Sequence, residues 1–178
     1  MWLREMGSPA LGSAQALWLA RLILLTATVL HIVAAAQLTE MSHAARPVSY
    51  ERREAIRSTY ASRTMRGGGV IITLFVIYHL LHFTFGAVGY APGQYQPRSV
   101  YRNVVTGFSV WYVSAFYLAA MVVLGLHLYH GLWSAFQTLG LNGVRTNRLY
   151  RALATVSSLA VVLGNSSVPV AVVAGVVR

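Results

Sequence analysis

Six histidines occur in this 178-residue chain, and five of them lie inside long apolar stretches. His31 belongs to the first stretch, His79 and His82 to the second, and His127 and His130 to the third. An ionisable side chain is costly to hold in hydrocarbon, so imidazoles at such positions point to a functional site. The spacing sharpens this. His79 and His82, and again His127 and His130, are three residues apart, which sets each pair on one face of a helix. Neutral imidazole is a donor for transition metals, and histidines facing one another between helices would form a metal or cofactor site.

The rest of the composition narrows the chemistry. There is no cysteine, which excludes thiolate-held iron–sulfur clusters, CxxCH haem attachment and disulfides within this chain. A structural zinc site, which prefers four nitrogen or sulfur ligands, is disfavoured for the same reason. The acidic residues number four, Glu5, Glu40, Glu51 and Glu54, and none lies in a predicted span. That counts against a proton- or cation-coupled transporter, which usually needs an intramembrane carboxylate. The net charge of +10 invites a nucleic-acid reading. However, the arginines gather in loops between apolar runs, as the orientation of a membrane protein demands.

The elements that must position the histidines are therefore transmembrane helices. The chain is 56% hydrophobic and 10% charged, with a mean hydropathy of +0.57, and its apolar runs are about 20 residues long, enough to cross a bilayer. The fold class predicted is an all-α membrane protein, a single domain of four transmembrane helices over about 15–38, 68–90, 110–139 and 152–177. The first run is too long for a signal peptide and is interrupted by Arg21 and His31. Residues 39–67 read as a polar, arginine-rich segment with room for a short amphipathic helix. Gly67, Gly68 and Gly69 open the second span, either as a hinge or as a place of close approach for a backbone or flat cofactor. Pro92, Gly93 and Pro97 end that span, and Tyr90, Tyr95, Tyr101, Trp111 and Tyr112 read as an interfacial aromatic belt. Pro169 is tolerable as a kink in the fourth span.

Arginine counting orients the bundle. The loops after spans one and three hold nine arginines, and the opposite side holds Arg4, Arg98, Arg102 and Arg178, so the first and third loops are expected in the cytoplasm. At 1.5 Å per residue, His31 lies about 10 Å from the cytoplasmic end of its helix, and His127 and His130 about 15 and 10 Å from theirs. His79 falls near the middle of span two, with His82 one turn farther out. Two imidazoles from facing helices at one depth meet the need of a six-coordinate haem iron, each keeping its other ring nitrogen bonded to a carbonyl or hydroxyl. Haem propionates favour cations near an interface. Arg63 and Arg66 suit an inner haem and Arg21 an outer one, although Arg63 and Arg66 also serve as topology determinants. The bland alternative for each histidine is a hydrogen bond to a neighbouring helix.

The runs Y-H-L-L-H-F-T at 78–84 and L-H-L-Y-H-G-L-W-S-A-F-Q-T-L-G at 126–140 resemble the cytochrome b membrane anchor of succinate:quinone oxidoreductases and fumarate reductases. The likeness is to the single-polypeptide, di-haem kind found in bacteria. It extends from the L-W-L-A-R of 17–21 through the last span. It implies haem b ligated by His127 and His31 at the inner level and by His79 at the outer level, with His130 beside His127. The family pattern has five helices, the first carrying the second ligand of the outer haem, and this chain begins where the second family helix stands. One haem thus finds both ligands here, and a second is expected only if a helix encoded upstream or a separate chain supplies the partner of His79 (or of His82).

The resemblance also implies the partners: a flavoprotein subunit that oxidises succinate, an iron–sulfur subunit that relays electrons, and a membrane quinone that receives them. Such a complex joins the tricarboxylic acid cycle to the respiratory chain, in a prokaryotic cytoplasmic membrane, with dicarboxylate chemistry confined to the partners. Arg57, Ser58, Tyr60, Arg63, Trp133, Ser134 and Gln137 form the expected docking edge. Tyr60, Trp133, Ser134 and Gln137 are its candidate quinone contacts, with Tyr60 and Trp133 equally suited to interfacial anchoring. A higher oligomer is compatible with this reading. The alternatives are an anchor for another quinone-linked dehydrogenase or a hydrogenase, and a haem-free membrane interaction or transport protein.

Overall fold

The computed structural model describes residues 15–45 and 60–178, with side chains from Thr64 onward in the second segment. The chain divides into two compact units, Met1–Glu54 and Ala55–Arg178. Among the described residues there is no strand, and the fold is all-α. Four stretches are helical, long and apolar enough to cross a membrane: Gln15–Ala44, Thr64–Thr84, Trp111–Thr138 and Asn147–Val173.

Helix α1, Gln15–Ala44, is the described part of the first unit. It runs six residues past the predicted end because nothing in 39–44 breaks a helix. Two threonines cap their own turns internally, Thr28 Oγ1 donating to the Leu24 carbonyl and Thr39 Oγ1 to that of Ala35, both at 2.8 Å. Such back-bonding satisfies a hydroxyl without a partner helix.

In the second unit, α2 spans Tyr60–His79, and the three glycines lie within it rather than at a hinge. The helix then widens into a π turn, Leu80–Thr84, in which Phe85 N donates five residues back to the Leu80 carbonyl at 3.1 Å. Gly86, with φ +63°, reverses the chain there. A Cβ at Gly86 would collide with the Tyr95 ring, so glycine is required at this turn. Span two therefore ends at Thr84 instead of running to residue 90.

The loop beyond packs back on the unit and leads to a helix the sequence reading did not anticipate, α3, Val100–Phe108. Helix α4, Trp111–Thr138, follows after a tight turn in which Ser114 Oγ donates to the Phe108 carbonyl at 2.7 Å. Helix α5, Asn147–Val173, continues through Pro169. Helix α4 is central, packed on α2 and on α5, while α2 and α5 do not approach each other directly. Its contact with α5 uses small residues, as membrane helices do: Ala154 is wholly buried, and Ser158 Oγ donates to the Gly125 carbonyl at 2.8 Å. The core gathers at the end of the unit nearest α3, around Phe75, Phe108, Val113, Tyr117 and Met121.

The aromatic belt is only partly as expected. Tyr101, Trp111 and Tyr112 are exposed, as interfacial anchors should be. Tyr90 and Tyr95 instead turn inward. Tyr90 Oη donates to the Asn103 carbonyl at 2.9 Å, and Tyr95 Oη to the Thr84 carbonyl at 2.9 Å. The glycine turns at 86 and 89 bring them there.

Candidate functional site

The histidines of the second unit lie at two levels along α4. Tyr117, which meets His79 and His82, stands ten residues before His127, a rise of about 15 Å.

At the level of His127, the α2 glycines permit a close approach of α4. A Cβ on Gly69 would sit 3.6 Å from His127 Cε1, and one on Gly68 would sit 3.6 Å from Val123 Cγ1. Those are ordinary contacts, so even one methyl fills the gap and anything larger would displace the imidazole. His130, one turn on, has a buried Nδ1 without a hydrogen-bond partner among the described residues, and its ring meets Trp133 edge-on at 6.4 Å. Trp133 is tied to α5: its Nε1 donates to Asn147 Oδ1 at 3.1 Å, and the Arg151 guanidinium lies 4.3 Å above its ring. Gln137 is exposed, and Ser134 is half-buried. Arg66 is exposed on α2, while Arg57 and Ser58 and the side chains of Tyr60 and Arg63 lie outside what the structure describes.

His31 and Arg21 belong to α1, in the other unit. The Arg21 guanidinium lies 5.1 Å over the Trp18 ring, a cation–π contact within one turn of α1.

The outer level is the more elaborate. His82 is 0% exposed. Its Nδ1 lies 3.0 Å from Tyr117 Oη, and its Nε2 has no partner among the described residues. Glycines close on the ring from two sides: a Cβ at Gly89 would come within 2.6 Å of it, and one at Gly107 within 2.7 Å of Nε2. His82 is a core histidine, with no room on Nε2 for a metal. His79 differs. It is exposed, with Nδ1 3.4 Å from Tyr117 Oη, which leaves Nε2 as the nitrogen for a ligand.

His79 lines a cavity of about 560 Å³ in the gap between α2 and α5, floored by α4. The volume is in the range of cofactor and small-ligand sites. Its walls are mainly apolar, including Phe75, Phe108, Met121 and Val168, while Arg98 and Asn165 supply polar groups. Arg98 has φ +71°, an uncommon backbone state that costs a non-glycine residue about 1–2 kcal/mol. Asn103 holds the loop that carries it, Nδ2 donating to the Gln96 carbonyl at 2.8 Å and Oδ1 accepting from Gln96 N at 2.9 Å. This lining suits a flat apolar body with an acidic substituent: one imidazole donor on a wall and one guanidinium.

Outside the spans, the Tyr90 phenol is pushed up to about 12, first by burial and then by neighbouring Tyr95 and Tyr78, and so stays a hydrogen-bond donor at neutral pH. Among the described residues no three His, Cys, Asp or Glu side chains converge as a metal cage.

Arg98, Tyr117, Gly89 and Gly107 were not singled out from sequence. Arg98 resembled a topology charge, and Tyr117 is one of ten tyrosines. Only the fold returns them to His79 and His82. Comparison with protein-family models, curated proteins and solved structures finds no match for this chain.

Proposed function

We propose that this chain is the membrane-anchor cytochrome b subunit of a succinate:quinone oxidoreductase-type complex in a prokaryotic cytoplasmic membrane. It passes electrons between a peripheral flavoprotein and iron–sulfur pair and a membrane quinone. The observation that carries the reading is the pairing of motif with placement: both histidine motifs stand on neighbouring spans, at two depths about 15 Å apart. The motif at 126–140 lies against glycines, and the one at 78–84 borders a 560 Å³ apolar cavity.

Haem b, when bound, supplies reversible one-electron chemistry near the low-polarity centre of the membrane. His127 and His31 are the proposed holders at the inner level, and His79 the holder at the outer level. Arg98 is the proposed partner of acidic haem substituents in the cavity. The Gly68–Gly69 pair lets α2 approach His127 and Val123 closely. Near the arginine-rich edge, Tyr60, Ser134 and Gln137 offer hydroxyl and amide groups to a quinone carbonyl. Trp133, on the same helix as Ser134 and Gln137, is tied to the start of α5 through Asn147 and Arg151. With no cysteine in the chain, the iron–sulfur and dicarboxylate steps belong to the partners.

The test is a reduced-minus-oxidised spectrum of the full chain in native membranes, expected to be of b type. His127→Ala and His31→Ala should each remove the inner haem, while His130→Ala should retain it. Unchanged haem content in both of the first two variants overturns the ligand assignment. Co-purification of a flavoprotein that oxidises succinate separates this reading from an anchor for another dehydrogenase or a hydrogenase.

A further inference from the structure

His82 carries no ligand in the reading above, yet it is the most completely enclosed polar residue described, at 0% exposure. Its Nδ1 is 3.0 Å from Tyr117 Oη, and the same oxygen is 3.4 Å from Nδ1 of His79. Tyr117 is itself 5% exposed and clamped edge-on by Phe75 at 5.0 Å and Phe108 at 4.9 Å. The ring cannot swing, and only the hydroxyl proton can choose between the two imidazoles.

We propose that Tyr117 is the positioning residue for His79, and that His82 is a dedicated acceptor that fixes which way the Tyr117 proton points. The inference rests on the reading of His79 as a ligand. A neutral imidazole that coordinates through Nε2 carries its proton on Nδ1 and can only donate from there. Tyr117 Oη must then accept from His79. A phenol has one proton, and His82 Nδ1 is the other neighbour, so Tyr117 donates to His82. His82 in turn carries its proton on Nε2, between Gly89 and Gly107. The opposite polarity, with His82 donating to Tyr117 and Tyr117 to His79, puts a proton on His79 Nε2 and closes it to metal. With the Tyr117 proton directed at one of them, the two histidines are coupled: one Nδ1 accepts from Tyr117 and the other donates to it.

This explains why a histidine, rather than a phenylalanine of similar shape, is built into so dry a cage. It also yields an outcome that packing alone does not. If His82 is replaced by leucine, the Tyr117 proton loses its acceptor and turns to His79, blocking the ligand tautomer. Removing the Tyr117 hydroxyl as well should then relieve that block.

Two measurements on the full chain in detergent micelles test the proposal. In the haem-free protein labelled with ¹⁵N-histidine, one of the two Nδ1 atoms should be protonated and the other not, and Tyr117→Phe should abolish the relation. Two Nδ1 atoms in the same state overturn it. In ferric haem titrations, the uptake lost in His79→Ala is the quantity followed. Tyr117→Phe should weaken it about 10–100-fold, the usual effect of removing a partner behind a metal-bound imidazole, with an upward shift in midpoint potential. His82→Leu should be worse than Tyr117→Phe, the double variant should return to the Tyr117→Phe level, and His82→Gln, which keeps an acceptor and guards against misfolding of the leucine variant, should retain uptake. Additive losses in the double variant overturn the coupling. A chain with no haem uptake dependent on His79 removes the ligand reading instead, and the nitrogen measurement still decides the coupling.

Discussion

Alanine at Gly89 tests the cage around His82 against an internal control. Gly89 and Gly93 have nearly the same backbone, φ +80° and φ +79°. An L residue in that conformation costs about 1–2 kcal/mol at either position. The surroundings differ. A Cβ at 93 meets nothing within 4 Å, whereas one at 89 would lie 2.6 Å from Cδ2 and Nε2 of His82. The ring has nowhere to go, because the site of a Cβ on Gly107 is itself 2.7 Å from the same Nε2. Overpacking of that kind adds about 1–3 kcal/mol. Gly93→Ala should therefore lose about 1–2 kcal/mol and Gly89→Ala about 2–5 kcal/mol. Unfolding of the purified chain in mixed micelles, followed by loss of helicity, reads the difference. Shortening the ring in Gly89→Ala/His82→Ala should recover the steric part relative to His82→Ala alone. Equal losses at 89 and 93 would refute the cage, and with it the enclosed position of His82.

Other outcomes follow from single contacts. Alanine at Gly69 should be neutral or stabilise by up to about 1 kcal/mol, since its Cβ stays 3.6 Å from His127. Alanine at Gly125, whose Cβ would lie 2.6 Å from Val162 Cγ2, should cost about 1–3 kcal/mol; the same unfolding assay separates them. The Tyr90 phenol should ionise near pH 12 in an alkaline ultraviolet titration compared with Tyr90→Phe. Because its folded value is raised above about 10 for the unfolded chain, its stabilising contribution is complete below pH 10 and is lost as pH rises through 12. Asn103→Ala removes both hydrogen bonds to Gln96 and should cost about 1–3 kcal/mol, with faster amide exchange through 94–99, the loop that carries Arg98.

The number and approximate length of the spans were legible because hydrocarbon thickness imposes about 20 apolar residues wherever a helix crosses. The ends were less so. Residues 39–44 are polar but contain no breaker, so α1 runs on to Ala44. Span two stops early because Gly86 and Tyr95, nine residues apart, make a turn that no local pattern announces. Helix α3 was hidden in a stretch read through its Pro92, Gly93 and Pro97, which lie before it. The histidine pairs were legible as pairs, yet three-residue spacing treats His79 and His82 alike. The π turn and the two glycines separate them, enclosing one and leaving the other beside a cavity.

By itself, the sequence determined an all-α membrane chain with imidazoles in three spans, no thiol, and no carboxylate within the predicted spans. Those facts depend on composition along one helix at a time, and hydrocarbon judges each helix separately. Which histidine is walled in, which one borders the 560 Å³ cavity, and that Arg98 lines it, were decided only by tertiary structure. The physical reason is that these depend on what stands opposite. A glycine at 89 or 107, or a tyrosine at 117, has no meaning for His82 until the chain turns back and brings them within a few ångströms.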